Sequence, residues 1–415
     1  MDIETVNNPG HKIRRVLNAK YAGIQGLYYG SLAPVTAFAS AYLLHQGLDN
    51  SQIGVVIALG SAGAVLLQTA LGSLVSEERR LSLRRTVFLL LLLLLGLSLA
   101  LCAGGFPLGL TMAIYVCLLT LAQALLPLVS SMNFMFEARG ITLNFGMSRA
   151  AGSVAYAALS PVIGWAAARF SGASIPWFSA LTYGGMLLLV AGFALGPAAQ
   201  KALPLCCQDR AARLAAASAN ARGFFRRNPG YLAFLAGVTL LFVNLSATQT
   251  FFLQILRAKG GDGMNLGIAT AIGAAAEIPM MLAFSWLSRK VQCATLIRVS
   301  ALFFTLKTVG IFLAQDIGSL YLAQVLHMLG YALFIPAGVY YVDRRMAEGD
   351  KVKGQAYLGS TMALGGIAAS LAGGPLLDAF GPQVLLQCAI VLSALGTVIV
   401  MWATGARCAT CENMV

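Results

Sequence analysis

Apolar residues in this chain come in long unbroken blocks. They fall at residues 22–44, 53–74, 86–105, 108–132, 147–168 and 175–195, and after a polar gap at 231–256, 266–288, 294–314, 318–341, 357–377 and 383–403. A helix needs ~20 mostly apolar residues to cross the hydrocarbon core of a bilayer, whereas barrel strands show alternating segments of about ten. The blocks here are long and do not alternate, so they predict helices. Only Gly104, Gly105 and Pro107 divide the third block from the fourth. The expectation is an all-α membrane protein of 12 transmembrane helices in two six-helix halves. Residues 1–195 would form the first bundle, 196–230 a linker, 231–403 the second bundle and 404–415 a tail.

The polar residues sharpen this picture. The linker carries Lys201, Arg210, Arg213, Arg222, Arg226 and Arg227, and is too basic to enter lipid. Arg79, Arg80, Arg84, Arg85, Arg139, Arg289, Lys290, Arg344, Arg345, Lys351 and Lys353 fall on the same alternate set of connections, with the N-terminal tail. The opposite connections offer Arg169, Arg257 and Lys259. The positive-inside bias therefore predicts that both termini face the cytoplasm, which requires an even number of spans. A multi-pass protein of the bacterial inner membrane is expected.

Composition excludes several classes. Hydrophobic residues make up 58% and charged residues 10% of the 415, against about 25% charged in soluble domains. The net charge of +13 thus marks one side of a membrane, and no nucleic-acid partner is expected. The eight cysteines are scattered, and Cys408 and Cys411 form a lone CxxC without nearby further ligands, so neither a disulfide framework nor a metal site is expected. No phosphate-cradling glycine loop with its lysine and no triad order appears, so no enzyme, no cofactor and no ATP-driven pump is expected.

Charge inside a membrane helix costs about 2.5–3.5 kcal/mol at its centre, so each instance needs an explanation. Glu277, Lys307 and His327 fall near the middle of the eighth, ninth and tenth blocks, and Arg149 lies inside the fifth. Glu277 can load and release a proton, or form a static ion pair with Lys307. His327 titrates near neutrality by nature and can relay a proton or pack as a neutral side chain. Arg149, Gly152, Ser153 and Tyr156 share one helical face. A guanidinium fork over a small-residue notch and an aromatic plate suits a hydroxylated ring or a carboxylate, while a snorkelling arginine is the alternative. Tyr28 and Tyr29 in the first block, Asn244, Thr248 and Gln249 in the seventh, and Tyr331 in the tenth form polar stripes that can line a cavity or join helices.

A basic turn recurs after the second and eighth blocks, at Gly72-Ser73-Leu74-Val75-Ser76-Glu77-Glu78-Arg79-Arg80 and Ser285-Trp286-Leu287-Ser288-Arg289-Lys290. With the glycine-rich exit Gly373-Gly374-Pro375-Leu376-Leu377-Asp378, the chain resembles the major facilitator superfamily over essentially its full length. That family's turn reads G-x-L-x-D followed by basic residues. Ser76 stands at the aspartate here, with Glu77 and Glu78 as available substitutes, and the resemblance makes Gly72, Glu77, Arg79 and Arg80 a gating turn. The segment Asn144 to Ser153 is similar to the sugar-binding arginine segment of the lactose permease and oligosaccharide:proton symporter branch. Arg149 matches its arginine and Tyr156 its stacking tryptophan; Glu277, Lys307 and His327 match its carboxylate, arginine and histidine. The branch's other acids are replaced by Ser131 and Gly330.

The resemblance implies proton-coupled symport of a small polar solute such as a saccharide or nucleoside by alternating access. Glu277, His327 and Lys307 would couple the proton; Arg149, Tyr156, Ser153, Tyr28, Tyr29, Asn244, Thr248, Gln249 and Tyr331 would bind the solute. Uptake of an organic or aromatic acid anion, or export of amphipathic compounds, are the alternatives. The expected partners are the solute, protons with sodium as the other candidate, and membrane lipid, with the protein a monomer.

Overall fold

The computed structural model describes residues 9–76, 82–136, 141–194, 224–226, 228–347 and 350–405. Glu77, Arg79 and Arg80 of the expected gating turn, most of the linker, and Cys408 and Cys411 lie outside them.

Among the described residues the regular elements are all helical. They are α1 (Pro9–Leu32), α2 (Ala39–His45), α3 (Asn50–Ser76), α4 (Leu83–Ala103), α5 (Leu108–Ser131), α6 (Phe145–Phe170), α7 (Ile175–Ala191), α8 (Pro229–Thr250), α9 (Phe252–Arg257), α10 (Gly263–Lys290), α11 (Cys293–Leu313), α12 (Ile317–Val325), α13 (Tyr331–Arg345) and α14 (Lys351–Gly405). Gly72 lies within α3. Among the described residues, ten helical runs are long and apolar enough to cross a membrane. The last of these runs breaks at Gly381, whose φ of 77° lies in the left-handed region that glycine tolerates. It therefore contains both of the last two apolar blocks. The short division between the third and fourth blocks works the same way, with Gly104 at φ 65° and Gly105 at φ 75° turning the chain ahead of Pro107.

Two helices differ from the apolar pattern for identifiable reasons. α1 begins well before the first apolar block, because helix formation does not stop where lipid-soluble residues do. Its continuation is a wide helical turn at Ala33–Ala37 containing Pro34, after which α2 resumes. The tenth block likewise breaks into α12, a tight turn at Leu326–Met328 and α13. At the break the Gly330 carbonyl accepts from the Phe334 N–H at 3.0 Å and also from Ser300 Oγ on α11 at 2.8 Å. Broken spans persist in lipid only when neighbours satisfy such groups.

The chain forms two compact units: residues 1–46 with 59–213, and residues 47–58 with 214–415. In the first, α1 packs on α6 and α7, and α4 on α5 and α7. The α3 helix meets α5 where Gly60 and Gly63 face Leu119 and Thr120, and Thr120 donates to the Gly60 carbonyl at 3.2 Å. In the second unit α8 packs along α14, and α11 on α13 and α14. The α8 and α14 backbones cross at Gly237 and Gly396, where a Cβ on either would stand under 3 Å from the other's carbonyl oxygen. Small residues at crossings are how helices associate where lipid removes the hydrophobic drive. An aromatic core of Phe234, Phe242, Phe304 and Phe334 fills the interior of this unit. Large apolar side chains such as Leu181, Leu188, Leu282, Leu322 and Trp402 are instead exposed, so the surface is the apolar one that a bilayer requires.

Candidate functional site

In the second unit, Glu277 on α10, Lys307 on α11 and His327 in the turn between α12 and α13 meet as a chain. The Lys307 ammonium lies 3.1 Å from His327 Nδ1, and His327 Nε2 lies 3.2 Å from Glu277 Oε1. Lysine and histidine are 6% and 5% exposed, so neither is solvated by bulk water. A charged ammonium can only donate, which makes Nδ1 the acceptor and fixes the neutral imidazole with hydrogen on Nε2, aimed at the carboxylate. Histidine thus stands between the two charges, in place of the direct Glu277–Lys307 pair that is one of the two sequence readings. The ring is held by Tyr331, stacked on it at 5.1 Å with an interplanar angle of 13°.

The break in the tenth block makes this possible. The α12 helix ends at Val325, and His327 sits in the tight turn that follows. Beside the chain lies a small cavity of about 10 Å³, roughly the room of one water molecule, lined by Asn244, Thr248, Lys307, Thr308, His327 and Tyr331 together with Leu245, Phe304 and Gly330. Asn244 is oriented by two bonds, donating to the Phe304 carbonyl at 3.3 Å and accepting from Thr308 Oγ1 at 2.8 Å. Thr248 turns its hydroxyl back to the Asn244 carbonyl at 3.0 Å. Gln249, one residue on, is exposed and does not line the cavity, since adjacent helical positions diverge by about 100°. Thr308 was not anticipated; its neighbour Lys307 carried the signal, and only the fold shows that both reach the same space.

In the first unit the cluster around Arg149 is of another kind. Its guanidinium lies 3.8 Å from the centroid of the Tyr29 ring and donates to Ser153 Oγ at 3.0 Å. Gly152 permits this stacking, because a Cβ there would stand 2.5 Å from Tyr29 Cδ2. The start of α6 is fixed by Asn144, whose side chain accepts from the Met147 N–H at 3.0 Å and whose own N–H donates to Asn18 Oδ1 on α1 at 2.7 Å. Tyr28 is buried, and its hydroxyl donates to the Ala122 carbonyl at 3.2 Å, while its ring meets Tyr29 edge-on at 5.2 Å. Gln25 donates to Tyr21 at 2.7 Å, leaving its buried Oε1 without a partner. Tyr156 is half-buried on the same helix as Arg149.

Among the described residues no group of three or more His, Cys, Asp or Glu side chains could hold a metal ion. The chemistry on offer is proton exchange along Lys307–His327–Glu277 and hydrogen bonding from Arg149 and the amides and hydroxyls named above.

Comparison with known proteins identifies the fold and the family. The model of the MFS_1 like family matches residues 19–388. Maltose permease of Geobacillus stearothermophilus is 25% identical over 356 residues, covering 84% of each chain. The nucleoside transporter NupG superposes with a TM-score of 0.76 at 14% identity, over 94% of this chain and 100% of that one. An auto-inhibited POT family peptide transporter superposes with a TM-score of 0.72 at 11% identity, over 96% and 98%. The helical fold, the apolar exterior and the family match over most of its length together establish a solute transporter rather than an enzyme: the chain belongs to the MFS_1-like family of the major facilitator superfamily.

Proposed function

We propose that the protein is a proton-coupled symporter of a small polar solute, a saccharide or nucleoside, working by alternating access. It would span the bacterial inner membrane twelve times with both termini in the cytoplasm, as the distribution of Lys and Arg supports. The observation that carries the reading is the Lys307–His327–Glu277 chain, its lysine and histidine buried, beside a small cavity that Asn244, Thr248 and Thr308 help to line. Loading a proton on Glu277 removes its attraction for the imidazole N–H and frees His327, which shares that cavity with Asn244 and Tyr331, to meet a solute hydroxyl. Sodium fits less well, because the cavity is already occupied at its edge by an ammonium and offers a single carboxylate nearby. In the first unit Arg149 and Tyr29, with Ser153 and Tyr156 on the same helix as the arginine, would hold the solute. The likeness to maltose permease supports a neutral, hydroxyl-rich solute.

One observation favours a second reading. Arg149 makes its polar contact with Ser153 and lies on the Tyr29 ring, which leaves guanidinium donors for an organic or aromatic acid anion. Reconstituted protein separates the two: maltose and uridine should compete for uptake under the first, benzoate-like carboxylates under the second. With the transported solute in hand, Glu277→Gln should abolish uptake driven by a proton gradient while equilibrium exchange continues. Gradient-driven uptake equal to wild type in that variant would remove Glu277 from the mechanism.

A further inference from the structure

The chain that ends at Glu277 has a second side, away from the cavity. The α10 helix packs on α12 and on the tight turn that carries His327, and on it Asn265, Ala269, Gly273 and Glu277 form one row, each four residues from the last. The row is polar at both ends and small between. On α12 and the turn, Tyr321, Gln324 and His327 come every third residue. The two rows meet pair by pair. Asn265 Nδ2 donates to Tyr321 Oη at 2.9 Å, and a Cβ on Gly273 would stand 3.8 Å from Gln324 Oε1 and 3.9 Å from His327 Cδ2. His327 Nε2 closes the file on Glu277 Oε1 at 3.2 Å.

Exposure falls along the file. Asp262, which caps α10, and Asp316, which caps α12, are exposed, so both helices begin at the end where charge meets water. Asn265 and Tyr321 are half-buried, and Gln324 and His327 are 8% and 5% exposed. Glu277 lies about 18 Å along the helix from Asn265. Asn265 Oδ1 accepts from the Asp262 N–H at 2.9 Å, so its Nδ2 must face Tyr321 and the phenol must accept. That leaves the Tyr321 O–H to be donated onward.

Gln324 is the informative residue. A glutamine that only joined helices would spend its amide on a neighbour, because a buried amide without partners is costly. Among the described residues this amide has no hydrogen-bond partner, and its oxygen borders the notch that Gly273 leaves open beside the imidazole. None of Asn265, Tyr321, Gly273 and Gln324 lines the cavity, whereas His327 borders both spaces.

We propose that this file is the path by which the coupling proton reaches and leaves Glu277, separate from the cavity; the inference rests on the reading of Glu277 as the proton carrier. Water is the co-reactant. A hydronium at the open end gives a hydrogen to Tyr321 Oη while the phenol passes its own to a second water, held by Gln324 over Gly273. That water gives a proton to the Glu277 carboxylate, which becomes neutral, and Tyr321 and Gln324 end as they began. Release runs the same steps backwards. Gln324 is thus a positioning residue, and a solute held at the cavity leaves the proton's route open.

The test reads Glu277 directly and needs no solute. The protein in detergent is taken through a pH jump with a caged proton, and infrared spectroscopy follows the carboxylic-acid C=O band that Glu277→Gln removes. Tyr321→Phe, which keeps the ring, should slow the rise of that band about a hundredfold, the low end of what a positioned proton-transfer group contributes. Gln324→Leu should slow it as well, and Gln324→Asn, which still holds a water, should restore part of the rate. The midpoint pH of the band should stay at the wild-type value in all three, because a path sets rates and not the equilibrium. Leu322→Ala, on the exposed face of α12, should leave the rate unchanged. If Gln324→Leu does not fold, Gly273→Val fills the notch from α10 and gives the same reading. A wild-type rate in Tyr321→Phe and Gln324→Leu, or a midpoint that moves together with the rate, would overturn the path while leaving Glu277 as the carrier. The absence of any band that Glu277→Gln removes would overturn the coupling reading and the path with it.

Discussion

The two units solve the problem of a charge in lipid in different ways. In the first, Arg149 is stabilised by the face of Tyr29 and one serine hydroxyl. In the second, Lys307 is connected through His327 to Glu277. A guanidinium does not release its proton in a protein, so the first cluster can recognise a solute but cannot carry hydrogen. The second is a row of three groups that can each gain or lose one. Recognition without titration in one unit, and titration beside a cavity in the other, is a division of labour that mutations can break.

The largest effect is expected from removing the cation of the second cluster. Lys307→Ala leaves Glu277 without its balancing charge in a largely dry site, which should cost about 3–5 kcal/mol of stability. Thermal unfolding in detergent measures it, and the double variant with Glu277→Gln should recover most of the loss, since removing both partners is far cheaper than removing one. A smaller loss follows in the first cluster from Gly152→Ala, whose Cβ would stand 2.5 Å from Tyr29 Cδ2. Displacing that ring should cost about 1–3 kcal/mol, offset in part by the better helix propensity of alanine. It should also weaken solute binding while leaving proton coupling intact. The smallest effect is Arg149→Lys, which keeps the charge but loses the planar fork and most of the stacking. Solute affinity by calorimetry should fall about tenfold, with the unfolding temperature nearly unchanged. Equal loss of proton coupling in the Arg149 and Lys307 variants would erase the distinction between the units.

Much of this was readable because lipid makes certain residues conspicuous. Apolar runs gave the helices, and the rarity of intramembrane charge singled out Glu277, Lys307, His327 and Arg149. The connection through histidine was not readable, because it depends on the tight turn at Leu326–Met328 and on the non-helical Gly330; a continuous helix would aim His327 elsewhere. Polar stripes were a weaker guide. Asn244, Thr248 and Tyr331 do line the cavity, but the Tyr28 hydroxyl is taken by the Ala122 carbonyl and Gln249 faces outward.

Proton counting on the purified protein addresses the central claim most directly. In weakly buffered detergent solution with a pH indicator, adding saturating transported solute should change the number of bound protons in the wild type. The same addition to Glu277→Gln, at matched occupancy, should change it by nothing measurable. A wild-type protein that binds solute with no proton exchanged, or a Glu277→Gln variant that exchanges as many as the wild type, would contradict the account.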